Sequence, residues 1–247
     1  MRTEGLHLTD AYLRQFTARV LRVSAREIAL DRSAFHPAGG GQPDDLGRLT
    51  FSAGSASVDA LRSEQGTTLH RVGPGDPLPT AGDEVRGEID WPRRYAFMRG
   101  HTMLHLLSGV VFRRFGTGIS GGQIYEDRAR MDFSLEGFGR PLAEELVASV
   151  NELVGQALPI RVRFVSRSEA AATPSLVRVA TQLPPEVERI RLIDIEGFDV
   201  QADGGTHVRS TAEVGPVVLA GLENKGARNK RLCLGFDRTA PDAAGSS

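Results

Sequence analysis

The chain has 247 residues, of which 40% are hydrophobic and 25% charged, and its formal net charge is −1. These values are typical of a soluble globular protein with one large domain or two modest ones, and they exclude a polycation that binds nucleic acid over its whole surface. The single cysteine, Cys233, excludes an internal disulfide and suits a reducing compartment. Because no signal-type segment and no apolar run of membrane-spanning length is present, we expect a cytoplasmic protein without membrane contact.

Residues 8–90 predict a domain rich in β-strands. Apolar and polar residues alternate in Ala18–Val23, Gly47–Phe51 and Glu84–Asp90, and turn-forming clusters such as Gly73–Pro77 lie between them. Short strands at this spacing favour a small barrel or a sandwich.

The pattern changes at residue 90. Asp90 followed by Trp91 and Pro92 is typical of a helix start, with a capping carboxylate and a proline in the first turn. A helical period then continues to about residue 115, and a second helix is predicted from about 142 to 157. The predicted buried face of the first helix consists of Phe97, Leu104, Leu107, Val111 and Phe115.

Alternating segments predict strands around the two helices, at Gln123–Leu135, Ile160–Val165, Ile190–Ile195, Gly215–Gly221 and Lys230–Phe236. This mixed order predicts an α+β protein. We expect three segments, namely a small β-barrel domain at 1–90, a second domain at 91–238 and a disordered tail at 239–247.

Two pairs of potential metal ligands share the same spacing. His101 and His105 are four residues apart in the first predicted helix, so both imidazoles project from one face. Asp203 and His207 are also four residues apart, across a glycine pair that allows a sharp bend. Zinc accepts three imidazole nitrogens and one carboxylate oxygen, so we predict one zinc ion per chain. Taken separately, the histidine pair also fits two hydrogen-bonded histidines, and the glycine pair fits an ordinary turn.

A third segment contains Gly39, Gly40 and Gly41, followed by Gln42. Backbone N–H groups in such a segment can bind a phosphate or a developing oxyanion, while a flexible linker or a β-turn is the alternative. No Gly-Lys-Ser/Thr follows, so this is not a Walker loop and ATP binding is not expected.

Together these segments resemble the AlaX family of free-standing alanyl-tRNA editing proteins, which are related to the editing domain of alanyl-tRNA synthetase. The resemblance extends from about residue 31 to residue 237. The motifs that carry it follow the family's order: Gly39-Gly40-Gly41-Gln42-Pro43-x-Asp45-x-Gly47, His101-Thr102-Met103-Leu104-His105, Ser120-Gly121-Gly122-Gln123-Ile124, Asp199-Val200-Gln201, Gly204-Gly205-Thr206-His207, Thr211-Ala212-Glu213-Val214-Gly215 and Glu223-Asn224-Lys225-Gly226.

The resemblance implies an N-terminal β-barrel similar to a translation-factor domain, followed by a two-layer α/β editing domain. It implies a zinc-dependent hydrolase that deacylates tRNA(Ala) misacylated chiefly with serine, with glycine as a second candidate. The ligand positions carry over to His101, His105 and His207. The expected partner is the acceptor end of tRNA(Ala), and no obligate protein partner is inferred.

The sequence departs from the family pattern at Asp203, where a cysteine is expected. An aspartate there fits a direct ligand, a residue that orients a ligand or water, or a site that has lost its metal. The presence of all three histidines favours a direct ligand.

Recognition of the substrate is expected from polar residues near this site. Ala38 precedes the three glycines, where some relatives have a polar residue that could sense a serine hydroxyl. We therefore predict catalytic or hydroxyl-sensing roles for Gln42, Thr102 and Thr206, and a substrate pocket lined by Gly39–Gln42.

Contact with RNA is expected from a local cluster of cations. The predicted phosphate-binding residues are Lys225, Arg228, Lys230 and Arg231, with a solvated hairpin tip as the alternative. Arginines that flank the first helix, Arg93, Arg94 and Arg99, are the second choice.

Two other functions remain open at this point, a threonyl-type tRNA editing hydrolase and a metal-free tRNA-binding module that has lost catalysis. The glycine-rich segment favours the alanyl branch, and the zinc content of the protein would separate the metal-free alternative.

Overall fold

The computed structural model describes residues 2–135, 138–172, 188–224 and 230–237. The chain divides into two compact units, Met1–Tyr95 and Ala96–Ser247, whereas the sequence placed the boundary after residue 90. Within the described part of the chain, no helix is both long enough and apolar enough to cross a membrane. The predicted tail at 239–247 lies outside the described residues.

The N-terminal unit contains a closed barrel. Its described strands are β1 (Glu4–Gly5), β2 (Gln15–Ser24), β3 (Glu27–Leu30), β4 (Arg32–Ser33), β5 (Gly47–Phe51), β6 (Gly54–Glu64), β7 (Thr67–Val72) and β8 (Glu84–Ile89). Six of them close in the order β2-β3-β7-β6-β5-β8, and β1 pairs in parallel with β4. The predicted β-barrel is therefore confirmed.

Alternating side chains fill the interior of the barrel. In β2, Phe16 and Ala18 are buried and their neighbours are exposed, and β8 follows the same period with Val85 and Ile89. Gly87 pairs with Phe16, and a Cβ added at Gly87 would lie 2.3 Å from the Phe16 ring. The phenylalanine thus occupies the space that the glycine leaves.

A polar pair is buried in this barrel. Ser33 Oγ lies 2.7 Å from His70 Nε2, and His70 Nδ1 lies 3.0 Å from the carbonyl oxygen of Ile28. Because a carbonyl only accepts, Nδ1 carries the ring proton and Nε2 accepts from the Ser33 hydroxyl. Burial lowers the pKa of His70 to about 4, so its imidazole is neutral in the folded protein.

Helix α1 (Trp91–Phe115) begins in the N-terminal unit. The Asp90 carboxylate accepts a hydrogen bond from the Arg93 amide at 3.3 Å, so the predicted cap is confirmed.

Arg94, in the first turn of α1, is fully buried. Its guanidinium forms an ion pair with Asp45, with Nε donating to the carboxylate at 2.9 Å. It also donates to the carbonyl oxygens of Ala11 and Ala34, at 2.9 and 2.6 Å. The expectation that Arg94 contacts RNA is therefore wrong, because the guanidinium is enclosed and paired.

The C-terminal unit combines helices with two sheets. After α1 come β9 (Ile119–Ile124), β10 (Arg128–Phe133), α2 (Arg140–Gly155), β11 (Ile160–Ser166), α3 (Arg167–Ala171), β12 (Arg189–Ile195), β13 (Asp199–Ala202), β14 (Val217–Asn224) and β15 (Lys230–Phe236). One antiparallel sheet has the order β14-β15-β10-β9, and the other has the order β11-β12-β13. Antiparallel sheets combined with separate helices are typical of the α+β class, which confirms the predicted class.

Two local predictions are wrong. The single strand predicted at Gln123–Leu135 is a hairpin of β9 and β10, which pair on either side of residues 125–127. Phe115, placed on the buried face of the first helix, is 36% exposed because it is the last residue of α1. The other four residues of that predicted face are buried.

The middle of α1, residues 101–109, is buried at every position. Glycines near both ends of this stretch let neighbouring elements approach closely. A Cβ added at Gly100 would lie 2.8 Å from Ile124 Cγ2, and one at Gly109 would lie 2.6 Å from the Phe198 ring. Since this part of the helix is enclosed, its polar side chains must find partners inside the protein.

Candidate metal centre

Helix α1 supplies His101 and His105, which are both buried. Their ring centroids are 5.2 Å apart, as expected for side chains one turn apart on the same helical face. The predicted placement of this pair on a helix is confirmed.

The segment that follows β13 supplies Asp203 and His207. The Asp203 amide donates to the Arg191 carbonyl at 3.2 Å, which extends the pairing of β12 and β13 by one residue. The Gly205 amide then donates to Asp203 Oδ2 at 2.6 Å and closes a turn. This turn brings the carboxylate and the imidazole of His207 to the same side of the segment.

The four side chains converge on one point. Their potential ligand atoms all lie within 4.8 Å of one another. Asp203 Oδ2 lies 3.2 Å from His207 Nε2, and Asp203 Oδ1 lies 3.5 Å from His101 Nε2. The His207 ring centroid lies 4.5 Å from each of the other two imidazoles. The structure thus brings together the four residues that the two sequence spacings predicted as metal ligands.

Burial and neighbouring charges set the protonation of these groups. Burial lowers the pKa of His101 and places the pKa of His207 well below its usual value, with the other histidines adding to the effect at His207. Burial alone would raise the pKa of Asp203, but His101 and the hydrogen bond from His207 outweigh it and hold the pKa well below its usual range. At neutral pH the cluster therefore offers neutral imidazoles at His101 and His207 and a carboxylate at Asp203.

This donor set fits a divalent metal ion. Three imidazole nitrogens and one carboxylate oxygen are ligands that zinc accepts. His101, Asp203 and His207 are already without an excess proton at neutral pH, so none has to leave them when a metal ion binds. The set lacks the thiolate of the family pattern, and the carboxylate is a harder donor. The residues present therefore fit zinc.

Two further side chains contact the cluster. Thr102 Oγ1 lies 3.1 Å from His207 Nδ1, and the Val208 amide donates to the same oxygen at 3.3 Å. Arg191 donates to the Asp203 carbonyl at 2.9 Å, and its Nη1 lies 3.9 Å from Asp203 Oδ2. Burial lowers the pKa of Arg191, and Asp203 opposes that effect.

Arg191 was missed by the sequence reasoning. It occupies a buried position of β12, between the apolar residues Ile190 and Leu192. A single arginine inside such an apolar run is a signal in itself, because a buried guanidinium needs an acceptor or a carboxylate beside it.

The other predicted site residues have different surroundings. Gln42 belongs to the N-terminal unit, and it is buried. The amide of Gly39 donates to the Gln42 carbonyl at 3.0 Å and the amide of Gln42 donates back at 2.9 Å, with Gly40 and Gly41 at positive φ between them. Two of the amides predicted to bind substrate are thus engaged in a tight turn. Thr206 is fully buried in the C-terminal unit.

The cationic segment is described only in part. Lys225 and Arg228 lie outside the described residues. Lys230 is buried in β15, and Arg231 donates to both oxygens of Asp132, at 2.7 and 2.8 Å. Arg99, a second-choice RNA contact, donates to the Val214 carbonyl at 3.0 Å.

Comparisons with known proteins bear on the whole chain. A family model described as the second additional domain of threonyl and alanyl tRNA synthetases matches residues 190–232, which include Asp203 and His207. The chain is 38% identical over 232 residues to an alanyl-tRNA editing protein AlaX-M of Saccharolobus solfataricus, covering 93% of this chain and 97% of that protein. It is also 38% identical over 237 residues to an AlaX-M protein of Methanosarcina barkeri, with the same shares covered. An alanine–tRNA ligase of Pyrobaculum neutrophilum is 40% identical over 233 residues, which are 90% of this chain and 25% of the ligase.

Proposed function

The chain belongs to the AlaX-M family of alanyl-tRNA editing proteins, and we propose from this that it hydrolyses the ester bond of misacylated tRNA(Ala). The observation that carries the proposal is the end-to-end match to relatives with that name, combined with a buried His/Asp cluster in the same chain. A threonyl-type editing hydrolase is disfavoured, because the relatives matched over nearly their full length are named for alanyl-tRNA.

The proposed cofactor is one zinc ion per chain, held by His101, His105, Asp203 and His207. Support comes from the proximity of the four ligand atoms, all within 4.8 Å of one another. It also comes from their protonation, since burial keeps His207 neutral while the neighbouring histidines keep Asp203 ionised. A bound zinc ion would supply a Lewis acid that polarises the ester or binds the amino group of the substrate.

Residues of the chain set the protonation and the positions of the proposed ligands. Burial keeps His101 and His207 neutral, so their lone pairs are available without loss of a proton. The Gly205 amide holds one carboxylate oxygen of Asp203, while the other oxygen faces His101. A cluster that is already ordered loses little conformational freedom when it binds its cofactor, and burial keeps bulk water away from the reacting groups.

The proposed preferred substrate is Ser-tRNA(Ala), with Gly-tRNA(Ala) as the second candidate. A buried group that hydrogen-bonds the serine hydroxyl would be left unsatisfied by alanine, and this cost would reject correctly charged tRNA. Since the Thr102 hydroxyl contacts His207 and Val208, we assign hydroxyl recognition to Gln42 or Thr206.

Binding of the tRNA backbone is proposed for Lys225 and Arg228. Lys230 is buried and the Arg231 guanidinium is hydrogen-bonded to Asp132, so neither is well suited to bind a phosphate.

The metal-dependent part of this function is tested with His101→Ala, Asp203→Ala and the control Asp194→Ala. Asp194 lies on β12 and pairs with Arg163 at 2.9 Å, so its loss removes a carboxylate outside the cluster. We expect the first two variants to lose zinc and deacylation of Ser-tRNA(Ala) together, and the control to retain both. Full deacylation activity in a protein without zinc would contradict the proposed metal site, but it would not contradict the proposed editing function.

A further inference from the structure

Thr102 lies outside the ligand set, yet its side chain joins two parts of the metal centre. It is fully buried on α1, directly after His101 in the chain. Its hydroxyl oxygen lies 3.1 Å from His207 Nδ1 and accepts from the Val208 amide at 3.3 Å. One side chain of the ligand helix therefore contacts both the imidazole of His207 and the backbone that follows it.

The orientation of the His207 ring gives this contact a chemical consequence. Nε2 faces the cluster, 3.2 Å from Asp203 Oδ2, and Nδ1 faces Thr102. Without a metal ion, the contact with Asp203 requires the proton on Nε2, because a carboxylate only accepts. For Nε2 to present a lone pair to a metal ion, the proton of the neutral ring must instead be on Nδ1. The Thr102 oxygen can accept a hydrogen bond from that N–H, because a hydroxyl has two lone pairs and the Val208 amide uses one of them.

His207 needs such a contact more than the other imidazoles do. His101 and His105 project from a helix whose backbone is fixed by its own hydrogen bonds. His207 lies in a segment without helix or strand, shortly after two glycines. The position of its ring therefore depends on side-chain contacts.

We propose that Thr102 is a positioning residue of the metal centre, which fixes the ring orientation and the tautomer of His207. This inference rests on the proposed zinc site. The groups that hydrogen-bond the free nitrogen of a ligand histidine orient the ring and raise its basicity, and their loss lowers metal affinity. The role differs from the substrate contact predicted for Thr102 from the sequence.

The test compares zinc affinities of Thr102→Val and Thr102→Ser, measured by competition with a chromophoric chelator. Valine keeps the branched shape and removes the hydroxyl, whereas serine keeps the hydroxyl. We expect Thr102→Val to bind zinc about 10- to 100-fold more weakly than the wild type. Thr102→Ser should recover most of that loss.

Thr211→Val is the matched control. Thr211 is also fully buried, and its hydroxyl donates to the Leu153 carbonyl at 2.7 Å and accepts from the Leu158 amide at 2.9 Å. This substitution removes a buried hydroxyl with two backbone partners and touches no proposed ligand. It should lower the unfolding midpoint of the metal-free protein and leave zinc affinity unchanged.

Each outcome decides the proposal. Wild-type zinc affinity in Thr102→Val, or an equal loss in Thr211→Val, would overturn the positioning role and leave the zinc site intact. A wild-type protein that binds no zinc would overturn the zinc site and the positioning role together. If Thr102→Val does not unfold cooperatively without metal, Thr102→Ala provides the same comparison without a β-branched side chain, and the same 10- to 100-fold loss is expected.

Discussion

Replacing Asp45 by asparagine removes the charge that balances the buried guanidinium of Arg94. Both side chains are at most 1% exposed, so water cannot solvate the arginine in its place. The Asp45 carboxylate accepts from Arg94 Nε at 2.9 Å and from the His36 amide at 2.5 Å. An asparagine amide would turn its N–H groups towards one of these donors. Two separate costs therefore arise, an uncompensated buried charge and a contact between two donors.

The expected loss of unfolding free energy is about 3 to 5 kcal/mol, the cost of breaking a buried ion pair by removing one partner. The hydrogen bonds from Arg94 to the Ala11 and Ala34 carbonyls remain. They pair N–H groups of the guanidinium, but they do not neutralise its charge. Such a loss is large, because the free energy of unfolding of a typical domain is only about 5 to 15 kcal/mol. The double variant Asp45→Leu with Arg94→Met removes both charges and should recover part of the stability, because it also removes the hydrogen bonds of this pair to the Ala11 and Ala34 carbonyls.

Urea unfolding followed by the fluorescence of Trp91 measures this effect. Trp91 is the single tryptophan, and its ring centroid lies 5.6 Å from those of both Tyr12 and Tyr95 in the same unit. The control is Asp59→Asn, which breaks an exposed pair with Arg71 and should change the midpoint little. If Asp45→Asn unfolds within about 1 kcal/mol of the wild type, the pair behaves like an exposed salt bridge and the reasoning from burial is refuted.

Three further predictions concern pH, the carboxylate ligand and RNA. The pKa of His70 is about 4 in the folded protein and about 6.5 when exposed, so the unfolded state takes up the proton first. This group alone therefore lowers stability by about 3 kcal/mol as the pH drops from about 6.5 to about 4. Urea unfolding across this range should show a smaller loss of stability in His70→Asn than in the wild type, and parallel curves would contradict the prediction. Asp203→Ala should lower zinc affinity sharply and Asp203→Cys should restore or tighten it, because thiolate is the softer donor, and equal affinity in all three proteins would place Asp203 outside the ligand set. Replacing Lys225 and Arg228 by alanine should weaken tRNA binding and reduce the slope of log affinity against log salt by about 1 per side chain, and an unchanged slope would move the RNA contact elsewhere.

Much of the fold could be predicted because local periodicity determines it. The alternation in β2 and the helical period after Asp90 predicted elements that the structure contains, and the Asp90 cap could be read from three residues. The β9–β10 hairpin was missed because residues 125–127, Tyr-Glu-Asp, contain neither glycine nor proline, so alternation seemed to continue through the turn.

The four proposed ligands could be predicted because they form two pairs, and the members of each pair are only four residues apart in the sequence. The role of Arg94 could not be predicted, because its partner Asp45 is 49 residues away and no local sequence pattern indicates that both side chains are buried. For the same reason, the sequence predicted Arg94 as an RNA contact, because it precedes the ligand pair of α1 by only a few residues in the chain. The hydroxyl of Thr102 likewise meets His207 across 105 residues, a contact that only the folded chain reveals.

The central claim is that this protein edits misacylated tRNA(Ala), and side-by-side deacylation of Ser-tRNA(Ala) and Ala-tRNA(Ala) tests it most directly. Purified zinc-loaded protein should release serine much faster than alanine from the same tRNA at the same concentration. Comparable rates for the two substrates, or no release of serine together with no release of glycine from Gly-tRNA(Ala), would contradict the editing function.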